Sequence, residues 1–149
     1  MIAIELVHFR KILTLSKYNA HTESLFNQLN LLKVVDIHKL QQLKFYYRYL
    51  KNDLPEYFTC LNYIPHSIHH DYNTRYRHNL CNSLIKHTFA MKCIRYSIPL
   101  LINESPPLII GKFSTHSLTG FSSYTKHYYI SKYNVTCIQP NCYICNRNP

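Results

Sequence analysis

Carboxylates are few in this 149-residue chain, seven Asp and Glu against 17 Lys and Arg, and no two of the seven are adjacent. Two-metal phosphoryl transfer needs acids gathered around cations about 4 Å apart. The seven, Glu5, Glu23, Asp36, Asp53, Glu56, Asp71 and Glu104, fall mostly one to each predicted element, the spacing of helix ends and surface charges. Catalysis of the polymerase or nuclease kind is therefore not expected of the isolated chain, which is read as no enzyme on its own. Glycine is scarcer still: Gly111 and Gly120 are the only two, which excludes a phosphate-cradling glycine loop and leaves few tight turns. No serine sits in a nucleophile elbow. His70-Asp71 is no catalytic dyad either, because sequence neighbours seldom face one another. No apolar run approaches the roughly 18–20 residues that span a bilayer, and the first six residues are too short for a signal segment. The expectation is a chain with no membrane partner, intracellular, nuclear or cytoplasmic.

What is present is positive charge. The net charge is +10, with 8 cations and 5 anions in residues 1–60 (+3) but 9 cations and 2 anions in residues 61–149 (+7). That excess calls for a polyanion, and nucleic acid, RNA or DNA, is the default. The run over residues 69–80, His-His-Asp-Tyr-Asn-Thr-Arg-Tyr-Arg-His-Asn-Leu, interleaves cations, imidazoles and phenol rings with almost no apolar filler. It cannot build a core, but it can offer charge to phosphates and flat faces to bases. Tyr72, Arg75, Tyr76 and Arg77 are its candidate binding residues, with Lys92 and Arg95 further on. A solvated polar loop is the competing reading. The 14 Tyr do not discriminate, since phenols suit half-buried faces and base stacking alike, and an AT-rich coding sequence would also raise their number. His66, His69, His70 and His78 fall in the expected loop and not on a helix, where the four-residue step from His66 to His70 would set two metal ligands side by side, and they would add charge to the loop at lower pH.

The apolar spacing predicts an all-α chain: a small helical domain of about five helices over residues 1–133, a basic loop, and an irregular Cys-containing tail over residues 134–149. Leu6, Phe9, Ile12 and Leu13 mark a first helix. Leu25, Phe26, Leu29 and Leu32 mark a second, with Thr22 among the cap-type residues and Glu23 in its first turn. Asp36 is expected to cap a third that carries Ile37, Leu40, Leu43, Tyr47 and Leu50 and stops at Asn52-Asp53-Leu54-Pro55. After a short piece over residues 56–62, Pro65 opens the basic loop. A fourth helix from Asn82 or Ser83 places Leu84, Ile85, Phe89, Cys93 and Tyr96 on one side and Lys86, Lys92 and Arg95 elsewhere. Pro99 then bends the chain, residues 100–102 form a short buried turn, and Pro106-Pro107 is a break. Residues 114–117 supply caps for a last helix bearing Leu118, Phe121, Tyr124 and Tyr128.

Six cysteines without a secretory segment suggest thiols or metal ligands in place of disulfides. Cys60, Cys81 and Cys93 read as core or loop thiols. Cys137-x4-Cys142-x2-Cys145 puts three thiols within nine residues, and His127, with His116 as rival, could complete a tetrahedral zinc site. Two readings stay open: that zinc site, or a reduced tail of ordinary thiols with no cofactor.

Several blocks run in one order along nearly the whole chain: Tyr18-Asn-Ala-His-Thr22 with Leu25-Phe26, Leu31-Leu-Lys-Val-Val-Asp36, Leu54-Pro55, Tyr72-Asn-Thr-Arg75, Cys93-Ile-Arg-Tyr96 with Pro99 and Ile102-Asn103, Thr115-His-Ser117 with Gly120-Phe121, and Asn141-Cys-Tyr-Ile-Cys145. Together they resemble the segment after the polymerase domain in jockey-like, LINE-type non-LTR retrotransposon reverse transcriptases of invertebrates. The resemblance implies a thumb-like, C-terminal piece of an RNA-directed DNA polymerase, downstream of its catalytic aspartates and of the endonuclease. It implies template RNA or target DNA and the upstream polymerase domain as partners, with Arg75 and its neighbours, Lys92, Arg95 and the terminal cysteines as the residues concerned. The expected function is a non-catalytic nucleic-acid-binding fragment; the alternative is a structural remnant or helical interaction module that binds no nucleic acid.

Overall fold

The computed structural model describes residues 22–69, 77–82 and 93–133. The expected first helix over residues 4–15, most of the fourth over residues 83–92, and the tail from 134 lie outside the described residues. Among the described residues the fold is all-α, with six α-helices and no strand. They are α1 Thr22–Gln28, α2 Val34–Leu50, α3 Ile94–Glu104, α4 Pro107–Ile110, α5 Lys112–Thr115 and α6 Leu118–Ser131, with 3-10 helices at Glu56–Leu61 and His66–Ile68. None of the helices among these residues is long and apolar enough to cross a membrane. The chain divides into two compact units, one of residues 1–37 and 124–149, the other of residues 38–123.

In the first unit α1 ends sooner than its leucine spacing predicts. Asn30 turns left-handed at φ 51, and the Leu31 N–H reaches back to the Phe26 carbonyl at 2.9 Å while the Asn30 N–H bonds the Asn27 carbonyl. Asparagine tolerates this conformation better than other non-glycine residues, so it terminates the helix. Leu29 and Leu32 thus lie beyond α1, although Leu32 is still buried. Asp36 does not cap α2. The carbonyl of Lys33 accepts the first bonds, from Asp36 and Ile37, which puts Asp36 inside the first turn. Its carboxylate instead accepts the Tyr133 hydroxyl at 2.6 Å, and that same hydroxyl accepts the Lys33 N–H at 2.9 Å. Lys33 also pairs with Glu23 and sits 4.9 Å above the Tyr133 ring. Asn27 donates to the carbonyls of Ile130 and Tyr133 at the end of α6, the first of which also accepts the Tyr133 N–H at 3.0 Å. The sequence spacing missed this knot because its members lie about 100 positions apart.

In the second unit α2 buries Leu40, Gln42, Leu43, Tyr46 and Tyr47. Ile37 and Leu50, expected on the same face, are exposed. The buried stripe is rotated by its rings: Tyr46 and Tyr47 both pack on Phe113, at 5.4 and 6.3 Å, and Tyr47 stacks on Phe121 at 5.5 Å. The Tyr47 hydroxyl donates to the His116 carbonyl at 2.7 Å, so its polar end is satisfied. The helix stops where expected, through Asn52 at φ 53: the Asp53 N–H bonds the Arg48 carbonyl and the Asn52 N–H that of Tyr49, the Schellman arrangement.

The C-terminal part departs most from expectation. Cys93 is extended and exposed, and a new helix begins at Ile94, so Cys93 does not continue the apolar side of a fourth helix. Pro99 neither bends the chain out of helix nor ends it; α3 runs through it to Glu104, with Ile98 fully buried and Leu100 exposed, so residues 100–102 are no buried turn. A proline interior to a helix costs about 3 kcal/mol. Burial of Ile98 and Pro99, and the bond from Gln42 to the Ser97 hydroxyl at 2.9 Å, act against that cost. Pro106-Pro107 is a start as well as a break, because Pro107 takes the first position of α4, where its missing N–H matters least. Ser117 caps α6 as expected, its hydroxyl accepting the Gly120 N–H and its carbonyl the Phe121 N–H. On that helix Phe121, Thr125, Tyr129 and Ile130 are buried, whereas Tyr124 and Tyr128 are partly exposed. The aromatic residues of α6 occupy more than one face, so their spacing alone does not single out the buried one.

Candidate nucleic-acid interface

The basic run is closed at its base. Pro65 and Leu80 form an antiparallel bridge; the Cys81 N–H bonds the Ile64 carbonyl at 2.8 Å, the His66 N–H that of Asn79 at 2.9 Å and the Ser67 N–H that of Arg77 at 2.9 Å. Leu80 is the apolar anchor, 5% exposed. Its N–H donates to Asn103 Oδ1 at 2.8 Å and its carbonyl accepts from Asn103 Nδ2 at 3.0 Å. One amide side chain on the last turn of α3 therefore does what a second strand would do, satisfying both backbone groups of a buried residue. On the other arm the Tyr63 hydroxyl donates to the Ile94 carbonyl at 3.1 Å, and the Tyr63 N–H donates to the Tyr49 hydroxyl. Burial foremost, then the neighbouring phenols of Tyr49 and Tyr46, push Tyr63 above the usual phenol range, so it stays a donor at neutral pH. The Cys81 sulfur lies 3.6 Å from His66 Nδ1.

Arg77 leaves this base half-exposed, its backbone held by Ser67, and Arg95 is exposed in the first turn of α3. Neither forms an ion pair with a described residue; between described residues, Lys33 pairs with Glu23 and, at 3.8 Å and well exposed, Arg48 with Asp53. The α3 first turn carries no acid, so Arg95 faces the positive end of the helix with no local compensation. His69 and His78 are exposed and His66 is intermediate. Of the other candidates, Tyr72, Arg75, Tyr76 and Lys92 lie outside the described residues. So do Cys137, Cys142 and Cys145; His127 is exposed on α6 and His116 is partly exposed. No group of three His, Cys, Asp or Glu among the described residues is arranged to hold a metal ion. Cys60 and Cys93 are exposed free thiols, not core residues.

Sequence reasoning missed Asn103 and Tyr63. Asn103 became legible only once α3 extended past Pro99, because the spacing had placed it after a turn. Its removal should be felt locally: Asn103→Ala strips partners from two backbone groups, each worth about 1–3 kcal/mol when buried. We expect amide exchange at Leu80 and Cys81 to accelerate strongly while exchange in α2 stays unchanged. Uniform acceleration across both would show that the amide supports the whole fold and not the loop base. Comparison with protein-family models, curated proteins and solved structures finds no match to this chain.

Proposed function

We propose that the chain is a non-catalytic module that binds single-stranded RNA or DNA through the loop above the Pro65–Leu80 bridge together with Arg95, as the C-terminal part of an RNA-directed DNA polymerase. The observation that carries this reading is the anchored base: a run too polar to pack is fixed at both ends by Asn103, Tyr63 and three backbone hydrogen bonds, with Arg77 at its exit. Fixing the two ends of a charged run in advance lowers part of the ordering cost that binding would otherwise incur. Arg77 and Arg95 make no ion pair with described carboxylates, which leaves both guanidinium groups open to phosphate. Tyr72, Arg75, Tyr76 and Lys92 join them in this reading on their sequence alone.

The test is a salt titration of affinity for a short single-stranded RNA. Counterion release gives a slope of log affinity on log salt of about 0.7 per phosphate contact for single strands. Arg77→Gln and Arg95→Gln should each lower the slope by about that amount, with the thermal midpoint unchanged. An unaltered slope in the double variant would overturn the loop as the contact surface. Exposed apolar side chains at Leu31, Val34, Val35 and Ile37 support a second reading, a helical interaction module. That reading would be favoured by concentration-dependent oligomers together with no RNA binding at low salt.

A further inference from the structure

Two depressions along α2 share Leu54, the larger lying between the end of α2 and the 3-10 helix Glu56–Leu61 and the smaller along α2 itself. The larger, about 350 Å³, is lined by Tyr49, Asn52, Leu54, Pro55, Phe58 and Thr59. Its volume falls within the range of small-molecule sites. The smaller, about 220 Å³, is lined by Gln41, Lys44, Phe45 and Arg48 as well as Leu54. Lys44 and Arg48 are four apart on α2 and so point the same way, and Gln41 lies one turn before Lys44. One depression is therefore aromatic with polar edges and its neighbour is cationic. Phe58 stands edge-on to Phe45 at 5.0 Å and against Tyr57 at 4.2 Å, so its ring is fixed from two sides, while Tyr57 itself is 69% exposed. The wall is held by the left-handed Asn52, which turns the chain back and leaves Leu54 between the two halves.

We propose that this paired depression binds a nucleoside phosphate, with the base in the Tyr49–Phe58 half and the phosphates against Lys44 and Arg48. A bare aromatic hydrocarbon would leave the rim unused. The Asn52 amide can both donate and accept, and the Thr59 hydroxyl, which already donates to the Glu56 carbonyl at 2.7 Å, keeps its lone pairs for an incoming N–H. Those partners suit the edge of a heterocyclic base. Arg48 is held by Asp53 only at 3.8 Å across an exposed surface, an interaction worth little, so a phosphate competes for it readily. Asp53 and the carbonyl end of α2 weaken the local positive field, so the binding expected is weak. No residue of this site belongs to the basic loop, and the site stands whether or not that loop binds RNA.

The experiment titrates the full chain with ADP, adenosine and pyrophosphate in EDTA, following amide shifts by NMR. ADP should saturate with shifts at Asn52, Leu54 and Thr59, and adenosine and pyrophosphate should each bind about tenfold more weakly or worse. Lys44→Gln with Arg48→Gln should weaken ADP about tenfold while leaving adenosine unchanged, and Arg77→Gln with Arg95→Gln should leave ADP unchanged. Phe58→Leu should weaken ADP and adenosine together. The two cationic side chains reach solvent, so their double variant keeps the fold, which far-ultraviolet circular dichroism verifies. Pyrophosphate binding as well as ADP, or ADP binding indifferent to the loss of Lys44 and Arg48, would overturn the proposal.

Discussion

Phe121→Ala is expected to destabilise the chain by about 3–5 kcal/mol, against about 5–15 kcal/mol of total stability in a typical domain. Phe121 is fully buried, lies 4.8 Å from the Phe113 ring and stacks on Tyr47 at 5.5 Å. Its ring closes a run of aromatic neighbours that continues through Phe113 to Tyr46, then to Tyr63 at 5.6 Å and Tyr49. Truncation opens a cavity that rigid planar rings cannot refill by changing rotamer, so the loss should sit at the upper end for its class. In urea, with a slope of about 1–3 kcal/mol/M, the midpoint should fall by one molar or more. Phe121→Leu keeps most of the volume and should cost much less. Equal midpoints for the two variants would mean that the site collapses freely and that the ring cluster is not the core of its unit.

Stability should also fall steeply between pH 10 and 12. Tyr129 and Tyr133 are both pushed up to about 12, in each case first by burial. For Tyr133 the hydrogen bond to Asp36 adds to the rise, while the Lys33 N–H acts the other way; for Tyr129 the Asp36 charge is the second cause. The folded state thus holds these protons over a range in which an unfolded phenol, at about 10, has released them. Stability therefore declines as pH rises: the contribution is complete below pH 10 and lost on passing through 12. Burial likewise raises Tyr46 and Tyr63 and adds to the same trend. Urea unfolding at pH 8 and pH 11, with phenolate absorbance at 295 nm read in parallel, measures it. Phenolate appearing near pH 10 with no change in the urea midpoint would refute the assignment. Tyr133→Phe should flatten the alkaline decline and lower stability at neutral pH, because the Lys33 N–H and the Asp36 carboxylate lose their shared partner.

Much of the fold could be read in advance, and the failures have identifiable causes. The extent of α2 followed from its leucine and tyrosine spacing and from the Asn52-to-Pro55 stop, and the start of α6 from Ser117. Both depend on interactions within a few residues, which a linear string displays. The continuation of α3 through Pro99 was not legible, because the forces that favour it, the burial of Ile98 and the Gln42–Ser97 bond, come from partners outside the helix. Asp36 was misplaced for the same reason: a phenol 97 positions away takes the carboxylate that would otherwise cap α2. At the candidate interface Arg77 and Arg95 were named from charge and alternation, but Asn103, which fixes the loop base, stood only within a block of resemblance and nothing in its spacing pointed to that role.

Composition and local pattern make this chain helical, cation-rich, without adjacent carboxylates, and punctuated at particular asparagines, prolines and serines. These are properties of composition and of near neighbours, set by hydrogen-bond geometry and local sterics. Tertiary structure decided which faces of α2 and α6 are buried, which polar groups receive partners, and that Leu80 is held by an amide from α3. Burial and hydrogen-bond satisfaction are settled between residues distant in sequence, where the same side chain serves equally well inside or outside until its neighbours arrive.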